Sequence, residues 1–158
     1  MEEVLEVLDA DQEDRTDSVL LPGAPGTAGW VEDRIRALGE AGVGAATLER
    51  LSFLYGTQLE TLLGYGAEDP SWLEALHPDL PVLRGEIRNA VENEMALTLI
   101  DVMDRRTALL LFSPDSSLAG VEAAADIAAG ILDWDADRRA REVEEYRAWA
   151  AYHRVPEA

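Results

Sequence analysis

Between Glu92 and Thr107 the chain reads ENEMALTLIDVMDRRT, which sets several carboxylates close to a terminal Arg-Arg-Thr. Just before it, Leu83, Ile87, Ala90, Val91 and Glu94 recur at steps of three and four. One face of a helix over 82–95 therefore carries all five. Glu94 points with the aliphatic residues, where an unmatched carboxylate is costly. Beyond a break at 96–98, Asp101 stands four residues before Arg105 and can pair with it along a helix. Arg105 or Arg106 is then the expected partner of Glu94. Such a constellation reads as a buried ion pair that locks two helices together, in preference to a ligand site. A buried lock of this kind predicts that Glu94→Ala costs about 3–5 kcal/mol by stranding a guanidinium.

Other candidate chemistry is weaker. Asp133, Asp135, Asp137 and Glu144 occupy the first, third, fifth and twelfth positions of a calcium loop, but Arg138 replaces the glycine required at the sixth. Arg139 and Arg141 add further positive charge inside that loop, so Asp135 is better read as a helix N-cap. GVGAAT at 42–47 and GAPGTAG at 23–29 lack the preceding strand that a phosphate-cradling loop needs, and read as turns. His77 and His153 have no second ligand at useful spacing, and no nucleophile motif is present. Trp30, Trp72, Trp134 and Trp149 read as core or interface anchors. No catalytic, cofactor-binding or metal-ligating residue is expected.

The elements that must position these residues follow from composition and pattern. The chain has 158 residues, 47% of them hydrophobic, enough for one domain with its own core. It carries 32 acids against 13 bases, a formal net charge of −19, and every base is arginine. A field this negative disfavours nucleic acid and anionic membrane surfaces as partners. There is no cysteine, which removes disulfides and thiolate chemistry together. No stretch approaches the roughly 18 apolar residues of a membrane span. The acidic start MEEVLEVLD is unlike a secretory leader, so a cytoplasmic location is expected.

Periodicity predicts an all-α fold, an irregular bundle of about six to seven helices. Helices are expected over 30–40, 47–55, 58–65, 71–76, 82–95, 99–106 and 137–152. Another carries the stripe Leu118, Val121, Ala125, Ala128 and Leu132, with Ser113 and Asp115 placed to cap it. TALLLF at 107–112 has strand composition but no partner strand, and reads as a buried connector. Residues 2–9 form a short amphipathic stub, followed by a polar and then Pro/Gly-rich run. The expected division is 1–13 as the end of an upstream domain, 14–29 as linker, and 30–154 as the helical domain.

Four segments, taken in order, resemble the C-terminal helical domain of the FAD-dependent glycerol-3-phosphate dehydrogenases and glycerophosphate oxidases. They are DRTDSVLLPGA (14–24), ERLSFLYGTQLETLL (49–63), GEIRNAVENEMALTLIDVMDRRTALLL (85–111) and LDWDADRRAREVEEY (132–146). Arg105-Arg106-Thr107 is the specific part of the resemblance. Departures occur at Asn93, at Leu110 in place of a common glycine, and at Leu132-Asp133 in place of Leu-Gly before Trp134.

The resemblance implies an accessory, cap-like domain of an enzyme that oxidises glycerol 3-phosphate to dihydroxyacetone phosphate. In that family the flavin-binding and substrate-binding domains lie upstream, so FAD is implied for the intact enzyme and none for these residues. Those two domains are the implied partners, homo-oligomerisation is a further expectation, and the intact enzyme would sit in the cytoplasm or peripherally on the inner membrane face. Glu92, Glu94, Asp101, Arg105, Arg106 and Thr107 would then form a structural lock and contact face. The competing reading is a free-standing acidic helical interaction module.

Overall fold

In the computed structural model, residues 28–113, 115 and 117–153 are described. The stub at 2–9 and nearly all of the expected linker fall outside them. Helix α1 spans Ala28–Glu40, α2 Ala45–Leu54, α3 Leu59–Glu68 and α4 Arg84–Asn93. A π-helix follows over Asp101–Arg106, then α5 (Leu109–Phe112), α6 (Val121–Leu132) and α7 (Ala136–His153). Short 3₁₀ turns at Gly56–Gln58, Pro70–Leu73 and Leu118–Gly120 complete the described elements. The fold is all-α, and the one isolated bridge among the described residues, between Ala75 and Leu83, only closes the 74–84 loop.

Helix ends follow local chemistry. Gly42 has φ +95° after α1, and Val43 N–H donates to the Leu38 carbonyl at 3.0 Å, which closes the last turn in a Schellman arrangement. The same geometry ends α6, where Trp134 N–H donates to the Ala129 carbonyl at 3.0 Å, but Asp133 holds the left-handed position with φ +54°. Asp135 caps α7 as expected, its Oδ1 accepting from Arg138 N–H at 2.7 Å. Asp115 accepts from Ser117 N–H at 2.9 Å and from Ala119 N–H at 3.0 Å, which organises the turn that leads into α6.

Two apolar clusters share α4. The first joins Leu38, Leu51, Leu59 and Leu62 from α1–α3 with Leu83 at the entry to α4. The second packs Ile87, Ala90 and Val91 of α4 against Val102 and Met103, the α6 residues Val121, Ala124, Ala125 and Ala128, and Val143, Tyr146 and Ala150 of α7. Alanines on both α4 and α6 let these helices approach closely, and theirs is the most extensive helix pairing. Trp72 touches both clusters.

Four expectations need correction. The helix expected over 71–76 is only the 3₁₀ turn Pro70–Leu73, and Ala75 leaves it to bridge Leu83. The segment 107–112 is not a plain connector: Ala108 turns with φ +53° and Leu109–Phe112 make one helical turn. Residues 101–106 wind as a π-helix, not as the expected α-helix. The long helix ends at Asn93, so Glu94 is its cap and Met95 leaves it in the left-handed region with φ +58°.

Candidate functional site

Glu92 belongs to the α3–α4 seam and not to the Arg-Arg-Thr cluster. Its Oε1 accepts from Arg88 Nε at 2.9 Å and its Oε2 from the Tyr65 hydroxyl at 2.8 Å. Arg88 also reaches Glu68 at 2.7 Å and lies 4.0 Å from the Tyr65 ring centroid and 5.2 Å from that of Trp72. The guanidinium is thus held by two carboxylates and two aromatic faces. Burial first, and then the bond to Glu92, push the Tyr65 hydroxyl up to about 12.

The other predicted residues do converge on the loop 94–98 and the π-helix. Thr98 and Asp101 form a reciprocal cap. Asp101 Oδ2 accepts from Thr98 N–H at 3.0 Å, Thr98 Oγ1 at 2.8 Å and Leu97 N–H at 3.2 Å, while Asp101 N–H donates to Thr98 Oγ1 at 3.1 Å. Asp101 also pairs with Arg105, as the spacing predicts. Burial pushes the Asp101 carboxyl up, but the hydrogen bonds from Thr98, Arg105 and Leu97 outweigh it and hold the group below its ordinary range.

The expected Glu94–arginine ion pair is replaced by a different contact. Arg106 Nε donates to the Glu94 backbone carbonyl at 2.8 Å, and the Glu94 carboxylate instead accepts from Asn89 Nδ2 at 2.9 Å. Ending the helix at Asn93 swings Glu94 partly into solvent. Burial raises its carboxyl above the usual range, Arg106 opposes that shift, and the charge of Glu86 adds to it. Thr107 is buried and serves the π-helix: its hydroxyl donates to the Val102 carbonyl at 2.8 Å, the same oxygen that accepts Thr107 N–H at 3.1 Å.

A buried carboxylate–guanidinium lock does exist, one helix end away. Glu86 is fully buried on α4 and pairs with Arg50 of α2. It also accepts Leu83 N–H at 2.8 Å, and Arg50 Nε donates to the Pro81 carbonyl at 2.8 Å. Tyr55 faces the same carboxylate; burial, then the charge of Glu86, push its hydroxyl far above the ordinary range. Sequence reasoning passed over Glu86 because an acid in a helix's first turn reads as a dipole complement on the surface. The available signal was its position three residues after Leu83 and four before Ala90, on the apolar face. Two further ties were also missed. Buried Glu142 of α7 accepts Leu99 N–H at 2.8 Å, and Trp149 Nε1 donates to Asp104 at 2.9 Å. Both fasten the π-helix region to α7.

These carboxylates are bound to donors that hold the fold in place, and none stands beside an open cleft with a paired acid or base. Among the described residues no group of three or more His, Asp or Glu could hold a metal ion. His77 Nδ1 lies 3.7 Å from Asp79 and His153 Nδ1 lies 2.8 Å from the Trp149 carbonyl, both in local contacts. No described helix is long and apolar enough to cross a membrane. The arrangement is suited to holding helices and presenting a surface.

A glycerol-3-phosphate dehydrogenase of Mycobacterium leprae is 30% identical over 133 residues, covering 84% of this chain and 23% of that protein. One from Synechocystis is 23% identical over 111 residues, covering 70% of this chain and 20% of that protein. The chain thus spans about a fifth to a quarter of the length of these curated relatives. The solved glycerol-3-phosphate dehydrogenase of Bacillus halodurans, complexed with FAD, shares the fold with a TM-score of 0.77 at 23% identity, over 99% of this chain and 33% of that one. The family described as the C-terminal domain of alpha-glycerophosphate oxidase matches residues 14–139, and the chain belongs to that family.

Proposed function

We propose that this chain is the accessory helical part of an FAD-dependent glycerol-3-phosphate dehydrogenase and itself neither binds flavin nor performs chemistry. In the whole enzyme, glycerol 3-phosphate would lose a hydride to the flavin and its hydroxyl proton to a base, giving dihydroxyacetone phosphate. The reduced flavin would return its electrons to a quinone or to oxygen. The partners in this reading are the flavin- and substrate-binding parts of that enzyme, which would work in the cytoplasm.

The observation that carries the reading is the family match over 14–139, together with a fold that recurs as one third of an FAD-complexed dehydrogenase. The carboxylates of Asp101 and Glu142, which hold backbone amides, support a structural role in preference to a catalytic one. The test is to mix the 158-residue chain with FAD and with glycerol 3-phosphate plus an electron acceptor. The expected result is a colourless protein and no dihydroxyacetone phosphate. Stoichiometric flavin absorbance retained after gel filtration would overturn the proposal.

A further inference from the structure

The segment GVGAAT at 42–47 opens α2 onto a cleft of about 800 Å³, whose other wall is the loop 70–83. Helix α2 has ten residues, and its N-cap is Gly44, which has no side chain to receive the first amides. Leu48 N–H donates to the Gly44 carbonyl at 3.0 Å, but the N–H groups of Ala45, Ala46 and Thr47 find no acceptor among the described residues. Such amides favour an acceptor that carries negative charge. Nothing in the backbone demands glycine at 44. Its φ of −68° and ψ of 151° suit any residue, and a Cβ there would meet nothing within 4 Å. Serine or aspartate would fit and cap the helix, whereas glycine leaves the amides facing the cleft.

Thr47 gives an independent sign of a ligand. It lines the cleft, is only 8% exposed, and its hydroxyl makes no hydrogen bond among the described residues. The sealed side-chain atoms without partners there are Arg84 Nε and Glu86 Oε2, so the Thr47 oxygen stays open to the cleft. Side chains on a helix lean toward its N-terminus, which brings this hydroxyl to the bare amides. A hydroxyl so enclosed calls for a partner.

Charge decides what that partner is. No cation lines the cleft, whereas Glu74 and Asp79 do. The nearest guanidinium, Arg50, holds the Pro81 carbonyl at 2.8 Å and is spent on buried Glu86. Glu74 meets no cation at ion-pair distance among the described residues, and Asp79 has only His77, at 3.7 Å. A phosphate dianion would therefore be repelled, on a chain whose net charge is already −19. A ligand that brings a carboxylate for the amides must also bring a cation for Glu74 and Asp79. Val43, Leu73, Pro78 and Leu80 make the rest of the cleft apolar.

We infer that this cleft binds a small aliphatic zwitterion, an amino acid or short peptide. Its carboxylate accepts from the Ala46 and Thr47 amides and the Thr47 hydroxyl, and its ammonium lies toward Glu74 and Asp79. Such a site lies outside the flavin reaction proposed above and does not depend on it.

The test titrates leucine and glycyl-leucine into the 158-residue chain while backbone amide resonances are followed. N-acetyl-leucine supplies the carboxylate alone, leucinamide the ammonium alone, and inorganic phosphate a plain anion. Leucine or glycyl-leucine is expected to shift the Ala46 and Thr47 amides saturably at millimolar concentration or below, several-fold more tightly than the other three. Equal or tighter binding of phosphate or N-acetyl-leucine would overturn the zwitterion in favour of a simple anion site. Equal or tighter binding of leucinamide, or no saturation by any of the five, would also overturn it. Thr47→Val is expected to weaken binding several-fold, and Thr47→Ser to keep it. Gly44→Asp supplies the carboxylate from the chain itself, so it is expected to raise Tm and abolish the shift. The double variant Glu74→Gln/Asp79→Asn is expected to lower leucine affinity to that of N-acetyl-leucine. Undiminished binding in Gly44→Asp, in Thr47→Val or in the double variant would refute the assignment.

Discussion

Glu86 and Glu94 sit eight residues apart, one inside α4 and one just past its end, and have opposite fates. Glu86 is enclosed with Arg50, the Leu83 amide and Tyr55, so removing it strands a guanidinium and an amide that have little water to turn to. Glu86→Ala is expected to destabilise the chain by about 3 kcal/mol in urea unfolding, the range for breaking a buried pair from one side. Glu94 carries a raised carboxyl, so its charged form is disfavoured in the fold. The penalty is absent below its ordinary value of 4.5 and develops as pH rises through the raised one. Glu94→Gln retains an acceptor for Asn89 and is expected to gain a few tenths of a kcal/mol at pH 7, discounted for solvent screening, and nothing at pH 4. Paired denaturation curves at the two pH values check this. The expectation that Glu94→Ala costs several kcal/mol passes to Glu86 instead. The residue pattern showed that α4 carries a buried acid on its apolar face, but choosing between Glu86 and Glu94 needed the helix end. Pairing Glu86 with Arg50, 36 positions away, needed the tertiary fold.

At the scale of elements, the signals that could be read were periodic or conformational. The α6 stripe of Val121, Ala125 and Ala128 is buried as its spacing demands, and Gly42 and Gly56 take positive φ at the ends where they punctuate the pattern. The π-helix was not legible, because inserting one residue into a turn changes the hydrogen-bond ladder without changing the types of residue that form it. Its stabilisers are remote or mixed in role: Glu142 from α7 holds Leu99 N–H, and Thr107 supplies a hydroxyl to Val102. The α6–α7 corner gives a sharper prediction. Asp133 stands in a left-handed Schellman position that α1 fills with glycine. Asp133→Gly is expected to raise stability by roughly 0.5–1 kcal/mol, the steric relief exceeding the added chain entropy of glycine. Thermal melts of the two proteins decide it, and a lowered Tm would show that the aspartate makes up the strain in another way.

For the whole molecule, charge dominates. With 32 acids and 13 bases, long-range repulsion exceeds the gain from the local ion pairs, most of which are solvent-exposed and individually weak. Raising NaCl from about 10 mM to about 150 mM shortens the Debye length from roughly 30 Å to 8 Å. Tm is therefore expected to rise over that interval, and a fall would mean that the ion pairs outweigh the net field. The all-α class was visible from composition and period, and the family from the Arg-Arg-Thr resemblance. The exposure of Met95 and Leu97 was not, because it depends on where α4 stops.

Leu83 at the entry to α4 belongs to one cluster and Ile87, Ala90 and Val91 within the helix to the other, with Glu86 fastening it to α2. A beam common to two hemispheres leaves neither able to melt by itself: dissolving one strips the other of a wall. Calorimetry should record a single cooperative peak, and amide protons along 87–91 should exchange only through complete opening. The consequence is mechanical: a push delivered at one end reaches the opposite end through a rigid strut.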